Sequence, residues 1–166
     1  MISGFERGKG PPEKRFMVDI MLGKLARWLR ILGFDTLYGP LAGPWDILSR
    51  TTEGRIVLTR NRRWCELEGV LCLSANDPME QLAEVARRLS LQESDVNFLS
   101  RCAVCNHPIE EVSRIEAFGH VPDYTYETQG RFCRCPSCHR FYWGGSHPSR
   151  MRERLCSLLP WQMEPR

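Results

Sequence analysis

Residues Arg55–Trp64 read RIVLTRNRRW. The apolar run Ile56-Val57-Leu58 predicts a short buried strand, which breaks into Thr59, Arg60 and Asn61 before a basic cluster closed by Trp64. A strand that turns polar after its burial is complete delivers those side chains to its carboxyl end. What gathers there depends on the strands beside it.

Upstream, Phe16-Met17-Val18 predicts another short strand, ending in Asp19. It leads into MLGKLARWLRILG, where Leu22, Leu25, Ala26, Leu29 and Leu32 recur at helical spacing and Gly33 marks the end. Thr36-Leu37-Tyr38 reads as a strand, followed by a Gly/Pro loop and a brief helix opening near Asp46. Beyond Thr59, a strand is expected at Val70–Leu73, then a helix from Pro78 to about Leu89 with Met79, Leu82, Ala83, Ala86 and Leu89 inward and Asp77 as N-cap. Strands alternating with helices predict an α/β fold with a parallel sheet covered on both faces. Ligands of such sheets collect at the carboxyl ends of the strands. Asp19, Asp46 and Asn61 are thus expected at one mouth, where oxygen donors suit Mg²⁺ or Mn²⁺. Taken singly, Asp19 or Asp46 reads first as a helix N-cap.

The chain has 166 residues, a formal net charge of +3 and 42% hydrophobic residues, enough for a packed core. MISGFERGKGPPEKR carries neither an apolar core nor a cleavage signal, and no stretch approaches the ~18 apolar residues of a membrane span. The expectation is a cytoplasmic protein with no membrane partner. Of the eight cysteines, four fall as Cys102-x-x-Cys105 and Cys135-x-x-Cys138, the spacing at which two tight turns present four thiolates to one tetrahedral Zn²⁺. Cys133, His107 and His139 lie close enough in sequence to compete, but Cys133 forms only a C-x-C with Cys135, a poorer chelating turn, and is kept as a spare. Cys65, Cys72 and Cys156 read as small core residues.

The runs FMVDIMLGKLARWLRILGFDTLY, EGRIVLTRNRRW, SRCAVCNHPI and FCRCPSCHRFYWGGSH, in that order, resemble the mut-7 C-terminal RNase domain family over roughly Phe16 to Met151. The resemblance implies a PIN-like nuclease fold followed by a zinc ribbon. It assigns Asp19 and Asp46 to the first two metal-binding acids, and it places a third acid after the strand ending in LTR, where this chain has Asn61. Asparagine offers a carbonyl oxygen but no charge; Asp77, with Glu66 and Glu68 behind it, is the candidate to compensate.

The expected organisation is a mobile leader at 1–15, a PIN-like domain at 16–92, a zinc ribbon at 93–150 and a tail at 151–166, helical at its start. The implied activity is metal-dependent hydrolysis of RNA. Asp19, Asp46 and Asn61 would do the chemistry, and Lys24, Arg27, Arg60, Arg62 and Arg63 would hold the phosphate backbone. Trp64 is a candidate for base stacking or for burial. Phe141, Tyr142 and Trp143 are expected to pack the small core of a ribbon that binds or positions substrate. The alternative is an RNA-binding or ribonucleoprotein-associated module whose catalysis is impaired by Asn61; a purely structural zinc-ribbon protein comes third.

Overall fold

The computed structural model describes residues 14–144 and 146–158. The leader read at 1–15 therefore lies outside the described residues apart from its last two, and so do the side chains of Ser146, His147 and Cys156.

Strand β1 (Arg15–Asp19) passes through a 3₁₀ turn at Ile20–Leu22 into helix α1 (Gly23–Ile31), as the apolar run and the helical spacing predict. The helix stops at Gly33, whose φ of 94° suits glycine. The Gly33 N–H donates to the Arg30 carbonyl at 2.9 Å and the Phe34 N–H to the Leu29 carbonyl at 3.0 Å, the paired bonds of a Schellman cap. Strand β2 (Asp35–Gly39), helix α2 (Pro44–Thr52), strand β3 (Arg55–Thr59), strand β4 (Val70–Cys72) and helix α3 (Pro78–Arg88) follow. All four strands are parallel, in the order β2-β1-β3-β4.

Side chains alternate across a strand, so the sheet sorts its apolar residues onto two faces. Phe16, Val18 and Leu58 join Leu25, Leu29, Leu82 and Val85 in the main core beneath α1 and α3. Met17 and Val57 point the other way, to Ile47 of α2, with Leu37, Leu41, Trp64, Leu67 and Val70 packed around them. Trp64 is accordingly a packing residue. The connection from β1 runs to β2 on one side, and that from β3 runs to β4 on the other, so the chain reverses direction between β1 and β3. That reversal leaves a crevice at the carboxyl ends of those two strands, a topological switch point.

A second sheet is antiparallel, with strands β5 (Glu110–Val112), β6 (Phe132–Arg134) and β7 (Phe141–Trp143) in sequential order. Short helices α4 (Arg114–Ala117) and α5 (Asp123–Thr128) interrupt the β5–β6 connection. Ala117, Val121 and Phe132 form its small core, with Phe141 and Trp143 packed against them as expected. Helix α6 (Ser146–Leu158) returns to the first unit, placing Leu155 in the main core and Met151 against it.

The reading of Cys65 and Cys72 as core residues needs correction. Both are only half-buried, and a disulfide joins them across the β3–β4 connection, with their Cα atoms 5.3 Å apart. The parallel return of β4 beside β3 brings the two ends of that short loop together, an effect of tertiary pairing that local composition does not carry.

Candidate active site and metal centre

At the switch point, parallel register sets Val18 beside Leu58, which makes Asp19 and Thr59 the next pair. Both side chains fall on the α2 face of the sheet, following Met17 and Val57. Asp19 is 5% exposed and Thr59 is fully buried, and the Thr59 hydroxyl donates to Asp19 Oδ2 at 2.5 Å. The same hydroxyl accepts the Asn61 N–H at 3.0 Å. Asp19 therefore does not cap the following turn with its side chain; it is held across the strand gap. Thr59 is a site residue that sequence reasoning missed. Its signal was present in "LTR", but only the register makes it a partner of Asp19.

The other candidates occupy the same edge and are engaged locally. Asp46 lies in the first turn of α2, where Oδ2 accepts the Ala42 N–H at 3.1 Å and Oδ1 faces Arg50 Nε at 3.4 Å. The N-cap of that helix is Gly43, so Asp46 is not its cap residue. Asn61 does act as a cap: its side-chain oxygen accepts the Arg63 N–H at 3.1 Å, fixing the 3₁₀ turn Arg62–Trp64. Asp77 caps α3 by accepting the N–H groups of Met79 and Glu80 at 2.8 and 3.2 Å, as its sequence context predicts. Among the described residues, Asp19, Asp46 and Asp77 do not draw their carboxylates into one cluster.

The basic candidates divide by strand alternation. Arg60, one residue past Thr59, turns to the opposite face and meets Lys24 and Arg27 of α1 in a common cleft. Arg62 and Arg63 are exposed on the turn beyond Asn61.

The two C-x-x-C turns build a second site. Cys102, Cys105, Cys135 and Cys138 place their sulfurs within 4.8 Å of one another. The Cys102 and Cys138 sulfurs are 3.6 Å apart, and those of Cys105 and Cys135 are 3.2 Å apart. A tetrahedral ion with bonds of about 2.3 Å needs sulfurs about 3.8 Å apart, so a small expansion admits it. The turns match one another in detail. Each first cysteine receives an N–H from its partner, Cys105 N–H to Cys102 Sγ at 3.4 Å and Cys138 N–H to Cys135 Sγ at 3.5 Å. Each turn closes on a residue with positive φ, Asn106 at 69° and His139 at 57°. These four cysteines are positioned to bind a metal ion, and four soft thiolates with no water-bearing vertex suit structural zinc. Cys133 and His107 lie outside the sulfur cluster. Burial opposes thiolate formation at both Cys105 and Cys135. Their hydrogen bond places the shared proton on Cys135, pushed up to about 12, and draws Cys105 down to about 5. A divalent cation held by the four sulfurs would take the place of that proton.

The metal centre is tied to the parallel sheet. Arg30 is 7% exposed; its guanidinium donates to the Thr36 carbonyl at 3.0 Å and to the Val104 carbonyl at 2.6 Å. Burial lowers its pKa, and the sulfurs of Cys102 and Cys105 oppose that shift, so the cation sits where a tetrathiolate would concentrate negative charge. Asn106 accepts the Thr36 N–H at 2.9 Å, which caps the open edge of β2, and donates to Asp35 Oδ1 at 2.7 Å. On the far side, Tyr142 donates its hydroxyl to Cys102 Sγ at 3.0 Å. Alternation along β7 thus gives Phe141 and Trp143 to the small core and Tyr142 to the metal centre.

The fold and its sites define a mixed α/β protein with a buried carboxylate at the switch point of a parallel sheet, joined to a four-cysteine module compatible with a zinc ribbon. The chain belongs to the Mut7-C RNAse domain family, which it matches over residues 14–155. No curated protein matches it significantly.

Proposed function

We infer that the protein is a PIN-like, metal-dependent ribonuclease whose reaction centre is the Asp19–Thr59 pair. The observation that carries this reading is a buried carboxylate, oriented by a hydroxyl, at the β1/β3 switch point of a chain in an RNase-domain family. The donors at this edge are oxygens, which suit Mg²⁺ or Mn²⁺, and Asp19 and Asp46 would hold the ion. Such an ion lowers the pKa of bound water and offsets charge on the scissile phosphate.

Thr59 fixes the rotamer of Asp19 through Oδ2 and leaves the other carboxylate oxygen without a hydrogen-bond partner among the described residues. To share the ion, Asp46 would have to release the Ala42 N–H and its partly exposed, weakly held Arg50 contact. Asn61 keeps the turn in place and leaves Arg62 and Arg63 to meet phosphates at the rim. The zinc ribbon positions substrate and takes no part in hydrolysis.

A second reading, an RNA-binding module without cleavage, is favoured by the commitment of the neutral Asn61 to capping and of Asp46 to Arg50. The two separate on incubating single-stranded RNA with the protein in Mn²⁺ and in chelator, beside Asp19→Ala. The ribonuclease reading expects Mn²⁺-dependent products that disappear in the variant. RNA retained but uncut under every condition supports the second.

A further inference from the structure

A cleft of about 490 Å³ opens at the carboxyl edge of the sheet, on the α1/α3 face and thus opposite the Asp19 carboxylate. Its walls come from the start of α1, the end of β3 and the β4–α3 connection. Lys24 and Arg27 line it from successive turns of α1, and Arg60 lines it from just past the end of β3. Arg60 is held by the Asn76 side-chain carbonyl. Gln81, 4% exposed, donates to the Ala75 and Asn76 carbonyls and so fixes the loop that forms the floor. Met21, Leu22 and Pro78 supply an apolar wall. No carboxylate lines the cleft, and neither Lys24 nor Arg27 has an ion-pair or hydrogen-bond partner among the described residues.

Three cations lining one cleft without an acid create a local positive potential that favours an anion, and the apolar wall suits a sugar or base attached to it. A bridging phosphodiester carries one negative charge. A phosphomonoester carries about 1.5 to 2 at neutral pH and gains more from three cations. We propose that this cleft binds the terminal phosphomonoester of an RNA strand, whose following linkages cross the sheet edge toward Asp19. The choice of RNA as the bearer of that phosphate rests on the ribonuclease reading. The role of Lys24, Arg27 and Arg60 is then to register a strand end, beyond a general attraction for its backbone.

The test is binding in chelator, so that no cleavage intervenes, using the full chain and labelled RNA oligonucleotides of one sequence. One carries a 5′-phosphate, one a 3′-phosphate, and one hydroxyls at both ends. Fluorescence anisotropy at fixed salt should show one phosphorylated oligonucleotide bound at least fivefold more tightly than the hydroxyl-ended one, with the other arm identifying which end is read. That advantage should vanish in Lys24→Gln/Arg27→Gln, whose exposed positions leave the melting temperature unchanged, and persist in Lys24→Arg. Equal affinity for all three oligonucleotides overturns the proposal while leaving the ribonuclease reading intact. An advantage that survives in the double variant also overturns it, as does failure to bind any of the three oligonucleotides, whereas the ribonuclease reading stands or falls on the Mn²⁺ cleavage assay.

Discussion

Replacing Thr59 with valine keeps the shape of a fully buried side chain and deletes one hydroxyl. That hydroxyl makes the 2.5 Å bond to Asp19 and receives the 3.0 Å bond from the Asn61 N–H. A hydrogen bond to a carboxylate contributes about 1.5–3 kcal/mol, and loss of the neutral one adds about 0.5–1.5 kcal/mol. Thr59→Val should therefore cost about 2–4.5 kcal/mol, which at a mid-range urea m-value of about 2 kcal/mol/M moves the unfolding midpoint by about 1–2 M. The Asp19 component is isolated by repeating the substitution in Asp19→Ala. The Asn61 bond is lost in both backgrounds and cancels, so Thr59→Val should cost about 1.5–3 kcal/mol less where the carboxylate is absent. Equal costs in the two backgrounds would show that the pair is not coupled, and the description of a carboxylate oriented by a hydroxyl would fall.

Gly33→Ala should destabilise by about 2–4 kcal/mol in chemical denaturation, since a Cβ there would lie 2.2 Å from the Asn97 carbonyl oxygen and φ is 94°; a cost below about 1 kcal/mol would contradict that packing. Asp35 is raised by burial, but hydrogen bonds from Arg55 and Asn106 outweigh this and hold its pKa below the ordinary 3.8. A depressed folded-state pKa means stability that is present above the ordinary carboxylate range and lost as pH falls through the folded value. The stability gap between the wild type and Asp35→Asn should hold at neutral pH and close below about pH 4. Cys102→Ser and Cys138→Ser should lower the bound metal measured by elemental analysis, whereas Cys133→Ser should leave one ion per chain; release of metal by the latter would overturn the ligand set. Asn106→Ala should uncap β2 at Thr36, visible as faster amide exchange there while metal stoichiometry is retained.

What could be read from the sequence is what local chemistry encodes. The apolar run before Thr59, the helical spacing after Asp19 and the Asp77-Pro78 start of α3 each specify their element within a few residues, and the two C-x-x-C turns specify their ligands for the same reason. Thr59 as the partner of Asp19 was not legible, because 40 residues separate them and only the β1/β3 register makes them neighbours. Nothing in the sequence singles out Asn106, whose hold on the edge of β2 depends on how the first C-x-x-C turn docks. Composition groups Tyr142 with Phe141 and Trp143, and only strand alternation separates them. The Cys65–Cys72 bond likewise follows from the return of β4 and not from spacing.

The central claim is a metal-dependent reaction centre at the carboxyl ends of β1 and β3, and Asn61→Asp addresses it most directly. Aspartate caps a helical turn as well as asparagine does, so the Arg62–Trp64 turn should survive the change. The substitution adds one carboxylate charge, at nearly constant volume, on the residue whose N–H is linked through Thr59 to Asp19. Single-turnover cleavage of RNA in Mn²⁺, measured for the wild type and Asn61→Asp side by side, should show slow cleavage by the first and faster cleavage by the second, with tighter Mn²⁺ binding in parallel. No cleavage by either protein, with Mn²⁺ affinity unchanged by both Asn61→Asp and Asp19→Ala, would contradict it.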